Sequence, residues 1–410
     1  MILVDNILGL FLNIKTYKKN ISKLFNYGST EIKEINTFIE NTTFLTRKDD
    51  HYIRLDKHSD IESRKGEELL FYIRKNKNEV FTFENPVPSK NTTFNLDNIN
   101  NLNNKIWYVL ISNNPNINSQ NEDYYLSQND IIRMGNVKLI AKEIHIANEN
   151  DSEEANKEAI AKYDINSLNR NTGTIFNFCP KIEKYVLLTE YARNRQINCI
   201  YCHKYDCDKD NPLISFCSCN NYFHFQCLKE KIRKKTIFKQ NTDKTVNNYY
   251  IKGEVFCKKC NLNYPLKFQI EENEQFYELF SADIPKEENY LILESIENKL
   301  YYGSMKFIFI IGLNEKEKKI GRRRANDIVI CDPSISNFHA KIKYDKGKIF
   351  LKNISETFGT LILVKKPITI NDNTIKLQVG RSVIEAKQMT YGEFKKLKLN
   401  NKHYPLSKKD

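Results

Sequence analysis

Cys199-Ile200-Tyr201-Cys202, Cys217-Ser218-Cys219, His224-Phe225-Gln226-Cys227 and Cys257-Lys258-Lys259-Cys260 are four close pairs of soft ligands in one stretch of the chain. Each pair brings two donors to one ion from a single tight turn, and four pairs make two tetrahedral sites. Alternate pairs are expected to share an ion in a cross-braced arrangement. Cys199, Cys202, His224 and Cys227 form one site; Cys217, Cys219, Cys257 and Cys260 form the other. Two zinc ions are the expected cofactors. Four protein ligands per ion leave no position for water, so the sites read as structural and no catalytic residue is assigned. A module this small needs metal to fold. Cys179, Cys207 and Cys331 fall outside the pairing, and His203, beside a ligand, reads as a loop residue.

At 410 residues the chain is long enough for two to four domains. A hydrophobic content of 40% supports globular cores. A mean hydropathy of −0.59 and the lack of a long apolar run predict no membrane span. Met1-Ile2-Leu3-Val4 is apolar, but Asp5 and Asn6 interrupt it and no basic segment precedes it, unlike a signal peptide. Zinc-binding thiolates must stay reduced, which places the chain in the cytoplasm or nucleus. The net charge of +13 raises nucleic acid as a partner. Lysines and asparagines spread along the whole chain argue against it.

The expected fold class is multidomain and mainly β, with a cross-braced zinc finger and a C-terminal β-sandwich. Residues 1–60 stay unassigned. Residues 61–146 read as a β-rich domain with strands at Leu69–Ile73, Ile106–Ile111 and Asp130–Ile140, Gly135 marking a turn or bulge and Asn91–Asn104 a loop. Residues 147–189 read as linker and lead-in, 190–268 as the zinc module, and 269–288 as a connector opening on the acidic run Glu271–Glu274. Residues 289–386 read as the sandwich, and 387–410 as a basic, frayed tail.

The zinc module resembles the RING-CH (variant RING) finger of a group of ubiquitin ligases. The ligand order, the single residue between Cys217 and Cys219, the lead-in Asn211–Ser215, and Tyr264-Pro265 after Cys260 carry the likeness. It implies a ubiquitin-protein transferase without a covalent intermediate. Such a finger holds a charged ubiquitin-conjugating enzyme and acts by positioning. Ile200, between the first pair, would contact that enzyme. The tryptophan of the family's groove is absent from Leu228-Lys229-Glu230-Lys231-Ile232, and 29 residues separate Cys227 from Cys257. The four residues between Cys219 and His224 are closer to a PHD finger, which implies a chromatin reader as an alternative. That family's aromatic before the last pair is Val255 here.

Residues 289–386 hold short apolar runs such as Tyr290–Leu293 and Phe307–Ile311, separated by Gly and Asn turns, as in a β-sandwich. An arginine at Gly321-Arg322 and a hydroxyl in Ser334-Ile335-Ser336-Asn337-Phe338-His339 suit a phosphate, although from the residues alone a solvated basic turn is the better explanation. Gly321-Arg322, Asn326–Ile330, Ser336-x-x-His339 and Phe358-Gly359-Thr360, with a late strand pair around Leu377 and Val379, resemble the forkhead-associated (FHA) domain. The resemblance implies an eleven-stranded sandwich whose apical loops read phosphothreonine. Arg322 and Ser336 would touch phosphate, while His339, Gly321 and Gly359 would shape the site. The asparagine that clamps the peptide backbone in that family is Phe358 here, and Glu356 replaces a serine. Asp130–Gly135 is similar to the late FHA strands, so the first β segment is a degenerate relative or an unrelated β domain.

Together these features predict a ubiquitin ligase or adaptor that recruits a phosphothreonine-containing protein. The alternative is a non-catalytic scaffold that uses both modules for protein–protein interaction.

Overall fold

The computed structural model describes residues 7–17, 32–48, 52–56, 67–85, 102, 105–110, 123–147, 181–182, 185–186, 189–253, 255–260, 262–270, 276–283, 289–296, 299–300, 303–355, 359–370 and 374–400. Met1–Asn6, the Asn-rich stretch apart from Leu102, the linker at 148–180 with Cys179, the run Glu271–Glu274, and Glu356 and Phe358 lie outside the described residues.

The N-terminal part supplies β1 (Leu8–Tyr17), β2 (Ile32–Ile39), β3 (Thr43–Lys48), β4 (Tyr52–Asp56), β5 (Glu67–Lys75), β6 (Phe81–Glu84), β7 (Ile106–Leu110), β8 (Tyr124–Tyr125), β9 (Ile131–Met134) and β10 (Val137–His145). The cysteine-rich part holds β11 (Lys181–Ile182), β12 (Tyr185–Val186), α1 (Thr189–Asn194), β13 (Leu213–Ile214), β14 (Phe223–His224), α2 (Phe225–Lys235), β15 (Thr236–Gln240), β16 (Val246–Lys252), β17 (Lys267–Ile270) and β18 (Phe276–Glu278). The C-terminal part adds β19 (Tyr290–Ser295), β20 (Lys299–Leu300), β21 (Gly303–Gly312), β22 (Lys318–Gly321), β23 (Ile328–Val329), β24 (Ala340–Asp345), β25 (Lys348–Asn353), β26 (Thr360–Leu363), β27 (Ile368–Ile370), β28 (Ile375–Val379), β29 (Ser382–Thr390) and α3 (Tyr391–Asn400).

One long sheet runs β15-β16-β21-β19-β10-β9-β26-β7-β28-β29-β1-β2. Its pairing is symmetric about the β26–β7 contact, where Ile362 lies opposite Tyr108. On one side Ile362 also faces Ile132 of β9; on the other Tyr108 faces Leu377 of β28. Two five-stranded sheets, β23-β22-β24-β25-β8 and β4-β3-β5-β6-β27, repeat the order, although β23 joins β22 in parallel and β4 joins β3 antiparallel. They close two sandwiches of the same strand order.

The last three strands of each sandwich come from the other end of the chain. Strands β8, β9 and β10 complete the C-terminal sandwich, whose core joins Leu126, Ile132, Met134 and Leu139 to Leu293, Phe309, Ile320 and Leu351. Strands β27, β28 and β29 complete the N-terminal one, where Ile370, Leu377 and Ile384 meet Leu12, Phe71 and Phe83. The segment expected to close on itself near Ile146 therefore shares its sheet with the C-terminal strands. Between β26 and β27 only Val364–Pro367 carries the chain across. Asn85 pins that crossing: its Nδ2 donates to the Val364 carbonyl at 2.7 Å and its Oδ1 accepts from the Ile106 N–H at 2.9 Å.

The run Phe307–Ile311 is apolar at every position because β21 is covered on both faces. Phe307, Phe309 and Ile311 face the sandwich core, whereas Ile308 and Ile310 face the cysteine-rich module. The long gap between Cys227 and Cys257 is occupied by α2 and the β15–β16 hairpin, and β16 pairs with β21 from Val246 opposite Ile311 to Lys252 opposite Met305. That insertion fastens the module to the long sheet.

Part of the expected frayed tail is ordered helix. Thr390 and Glu393 form a reciprocal capping box: the Thr390 N–H donates to Glu393 Oε2 at 2.7 Å and the Glu393 N–H to Thr390 Oγ1 at 3.3 Å. Phe394 of α3 then stacks on Phe38 at 5.3 Å between centroids and meets Phe11 at 5.9 Å.

Candidate metal centres and ligand loops

Cys199, Cys202, His224 and Cys227 gather with all donor atoms within 4.8 Å of one another, and so do Cys217, Cys219, Cys257 and Cys260. The first and third pairs meet, as do the second and fourth. A Zn–S bond of about 2.3 Å implies tetrahedral edges of about 3.8 Å, so each donor set is the right size for one ion.

Local structure sets each pair. Cys199–Cys202 is a tight turn in which His203, at φ 59°, donates its backbone N–H to the Cys199 carbonyl at 2.8 Å. The Tyr201 and His224 N–H groups both donate to Cys199 Sγ at 3.4 Å. His224 ends the β13–β14 hairpin and immediately precedes α2, so one helical turn brings Cys227 beside it. Its Nδ1 lies 3.2 Å from Cys202 Sγ and 3.8 Å from Cys227 Sγ. Burial lowers the pKa of the ring, against the Asp206 backbone and charge, which favours the neutral form a ligand needs.

The other cluster is held by Ser215 Oγ, donating to the Cys217 carbonyl at 2.9 Å, and by Asn221 Nδ2, donating to Cys257 Sγ at 3.4 Å. Burial and neighbouring thiols push Cys217 and Cys227 up to about 12. At Cys257, burial is outweighed by the backbone N–H groups of Cys260 and Lys259, which lower it to about 6. Such turn amides favour thiolate.

Below both clusters, Phe223, Tyr264, Phe268 and Tyr277 share a core with Leu228 and Ile232 of α2. Cys207 and Cys331 belong to neither cluster. Ile200 is 43% exposed, with its backbone N–H donated to the Tyr222 carbonyl at 2.9 Å. No tryptophan replaces the one absent from α2, where Leu228 and Ile232 point inward.

At the end of the C-terminal sandwich, Arg322 and Ser336 face each other across two adjoining loops. The Arg322 N–H donates to the Ser336 carbonyl at 2.9 Å, and the Arg323 N–H to the Asn337 carbonyl at 3.3 Å. Gly321 is required by this approach, because a Cβ there would lie 2.3 Å from the Asn337 oxygen. Asn326 staples both loops, its Nδ2 donating to the Arg323 and Asn337 carbonyls at 2.8 Å. The side chains of Arg322, Arg323 and Arg324 are exposed.

His339 lies fully buried beneath them. Its Nδ1 accepts from the Ser336 N–H at 3.1 Å, which leaves Nε2–H to donate to the Gly359 carbonyl at 3.0 Å. Burial lowers its pKa to about 4 despite that carbonyl. A neutral imidazole with both nitrogens engaged braces the loops on either side of it.

Sequence reasoning missed several partners. Ser336 Oγ lies 2.6 Å from Ser355 Oγ, and Ser355 is fixed by Asn353. Asp327 ties the arginine loop to the β15–β16 hairpin through Asn241, 2.9 Å away. Lys318 Nζ reaches Thr245 Oγ1 of the same hairpin at 2.7 Å. No local signal links the hairpin to these partners, which lie 86 and 73 positions along the chain.

Residues 318–384 match the family model of the FHA domain. No curated protein and no solved structure matches the chain. The matched region runs from β22 into β29 and so contributes strands to both sandwiches. Among the described residues no helix is long and apolar enough to cross a membrane.

Proposed function

We propose that this is a protein-recruiting platform that reads phosphothreonine through Arg322 and Ser336 while its zinc-held module engages a second protein. The observation that carries the reading is the 2.9 Å bond from the Arg322 N–H to the Ser336 carbonyl, made over a buried, neutral His339. It joins the backbones of a residue with an exposed guanidinium and a residue with a hydroxyl, and the two groups together suit charge-assisted phosphate recognition. Gly321 lets the loops approach, and Gly359 supplies the carbonyl that His339 meets. Zinc would occupy both clusters, the ligands following the RING-CH order, and would hold Ile200 outward for a ubiquitin-conjugating enzyme.

In this role the chain is a RING-type ligase or adaptor acting by positioning, without a covalent intermediate. The absence of the groove tryptophan favours the second reading, a scaffold that binds without transferring ubiquitin. The test is binding of zinc-loaded full-length protein to a degenerate phosphothreonine peptide library and its unphosphorylated twin. Selective capture abolished by Arg322→Ala supports the reading, and equal capture of both libraries overturns it. Ubiquitin discharge from a panel of conjugating enzymes, with and without Ile200→Ala, separates ligase from scaffold.

A further inference from the structure

The exchange of strands gives the N-terminal part a task in the C-terminal site. The β9–β10 turn, Gly135–Asn136, packs on the loops of the C-terminal sandwich. Gly135 sits at φ +54°, and a Cβ on it would lie 2.2 Å from the Ser334 carbonyl oxygen. The Asn136 N–H donates to Ser334 Oγ at 2.8 Å. Ser334 is 1% exposed and bonded to the wholly buried Asp332, whose carbonyl accepts from the Ile335 N–H at 3.0 Å. Two residues beyond Ser334 comes Ser336.

The equivalent turn of the other sandwich, Gly380–Arg381 between β28 and β29, sits at φ +57° and packs instead on Arg47 of β3. Arg47 follows the buried Leu45 by two residues, as Arg322 follows the buried Ile320. Where Arg322 is exposed, Arg47 Nη2 donates to the Val379 carbonyl at 3.1 Å.

We infer that Gly135 and Asn136 are positioning residues for the C-terminal phosphate-reading loop, so that the N-terminal segment is part of that site. This rests on the proposed phosphothreonine reading for its ligand, but the geometry is independent of it. A closure in which each sandwich kept its own last strands is chemically close at hand. Leu12 opposes Ala386 and Leu293 opposes Ala141, so exchanging the alanines would leave leucine against alanine in both. Such reciprocal use of equivalent elements is the pattern of a domain swap.

The closing experiment compares Gly135→Ala with Gly380→Ala in full-length, zinc-loaded protein. Both add a methyl at a left-handed position, so their intrinsic strain is alike. Gly135→Ala is expected to weaken phosphothreonine-peptide binding about tenfold or more, the loss of roughly one charge-assisted bond, and to speed amide hydrogen exchange at residues 335–339. Gly380→Ala is expected to leave both unchanged. The reverse pattern, or equal effects, overturns the inference. If wild-type protein binds no phosphopeptide, the functional reading fails and the exchange measurement still decides this one. Should Gly135→Ala fail to fold, paired cysteines answer: Asn13→Cys is expected to bridge Glu385→Cys, its cross-strand partner, and not Ile140→Cys, which occupies the equivalent place in an unexchanged closure. Bridging to Ile140→Cys instead overturns the inference.

Discussion

The two sandwiches share one strand order and differ in what is built on them. At the C-terminal end Arg322 points to solvent above a buried histidine, and the cysteine-rich module covers the outer face of β16, β19 and β21. At the N-terminal end the comparable arginine, Arg47, is turned onto the Val379 carbonyl, and α3 rather than a cysteine-rich module lies against β1 and β2. The same scaffold thus carries exposed arginine loops in one copy and a tied-down arginine in the other. What separates them is a few side chains at loop ends, because a sandwich core constrains its strands and leaves its apical loops free.

The largest effect expected from breaking this asymmetry is metal removal. Structural zinc contributes about 10–16 kcal/mol to folding of small zinc modules. Chelation is expected to expose amides of β13–β16 to hydrogen exchange while β1 and β2 keep their protection, with native mass spectrometry reporting two ions lost per chain. Uniform loss across both sandwiches would show that the cores do not stand apart from the metal.

Next in size are the paired core leucines. Leu12→Ala and Leu293→Ala are each expected to cost about 2–5 kcal/mol in urea unfolding, since both are fully buried at matching places. If the exchanged strands make one cooperative unit, either variant shifts a single transition. Two separate transitions, each moved by one variant, would divide the sandwiches.

Acid should act on the C-terminal copy through His339. Its folded pKa, lowered to about 4 by burial, lies below the ordinary value of 6.5. The unfolded chain therefore takes up the proton first, and stability is full above pH 6.5 and falls as pH drops toward 4. Each unit of difference is about 1.4 kcal/mol, so the loss is about 3 kcal/mol. Urea midpoints of wild type and His339→Gln, measured from neutral pH down toward the folded pKa, check this, the variant having the flatter slope.

The loop arginines give the sharpest functional contrast. Arg322→Ala is expected to lower phosphopeptide affinity by about 1.5–3 kcal/mol, the worth of a hydrogen bond to a charged group, with no loss from Arg47→Ala. Fluorescence anisotropy with a labelled phosphothreonine peptide measures both. Smallest is the α3 cap, where Thr390→Ala is expected to cost about 1 kcal/mol, seen in thermal unfolding and not in peptide binding.

Several features are legible in the residues themselves. The ligand pairs announce themselves because metal chemistry restricts both residue type and spacing, and the clusters form as alternate pairs. Gly321-Arg322 and Ser336-x-x-His339 are visible because close backbone approach and a buried histidine restrict what fits. Strands β1 to β4 are harder to read, because polar, Asn- and Lys-rich flanks hide the alternation of Leu10, Leu12 and Ile14. The tail helix is equally hidden, since its stability comes from Phe394 docking on Phe38 rather than from composition.

Residue types and their spacing alone establish which side chains can hold metal, which strands are buried on both faces, and which loops carry cation, hydroxyl and glycine together. These are local properties of side chains and backbone. Only the tertiary structure decided which strands complete which sandwich. With Leu against Ala at matching registers, either closure satisfies the pattern, so the choice is made in three dimensions, where the chain crosses at Val364–Pro367 and Asn85 holds the crossing.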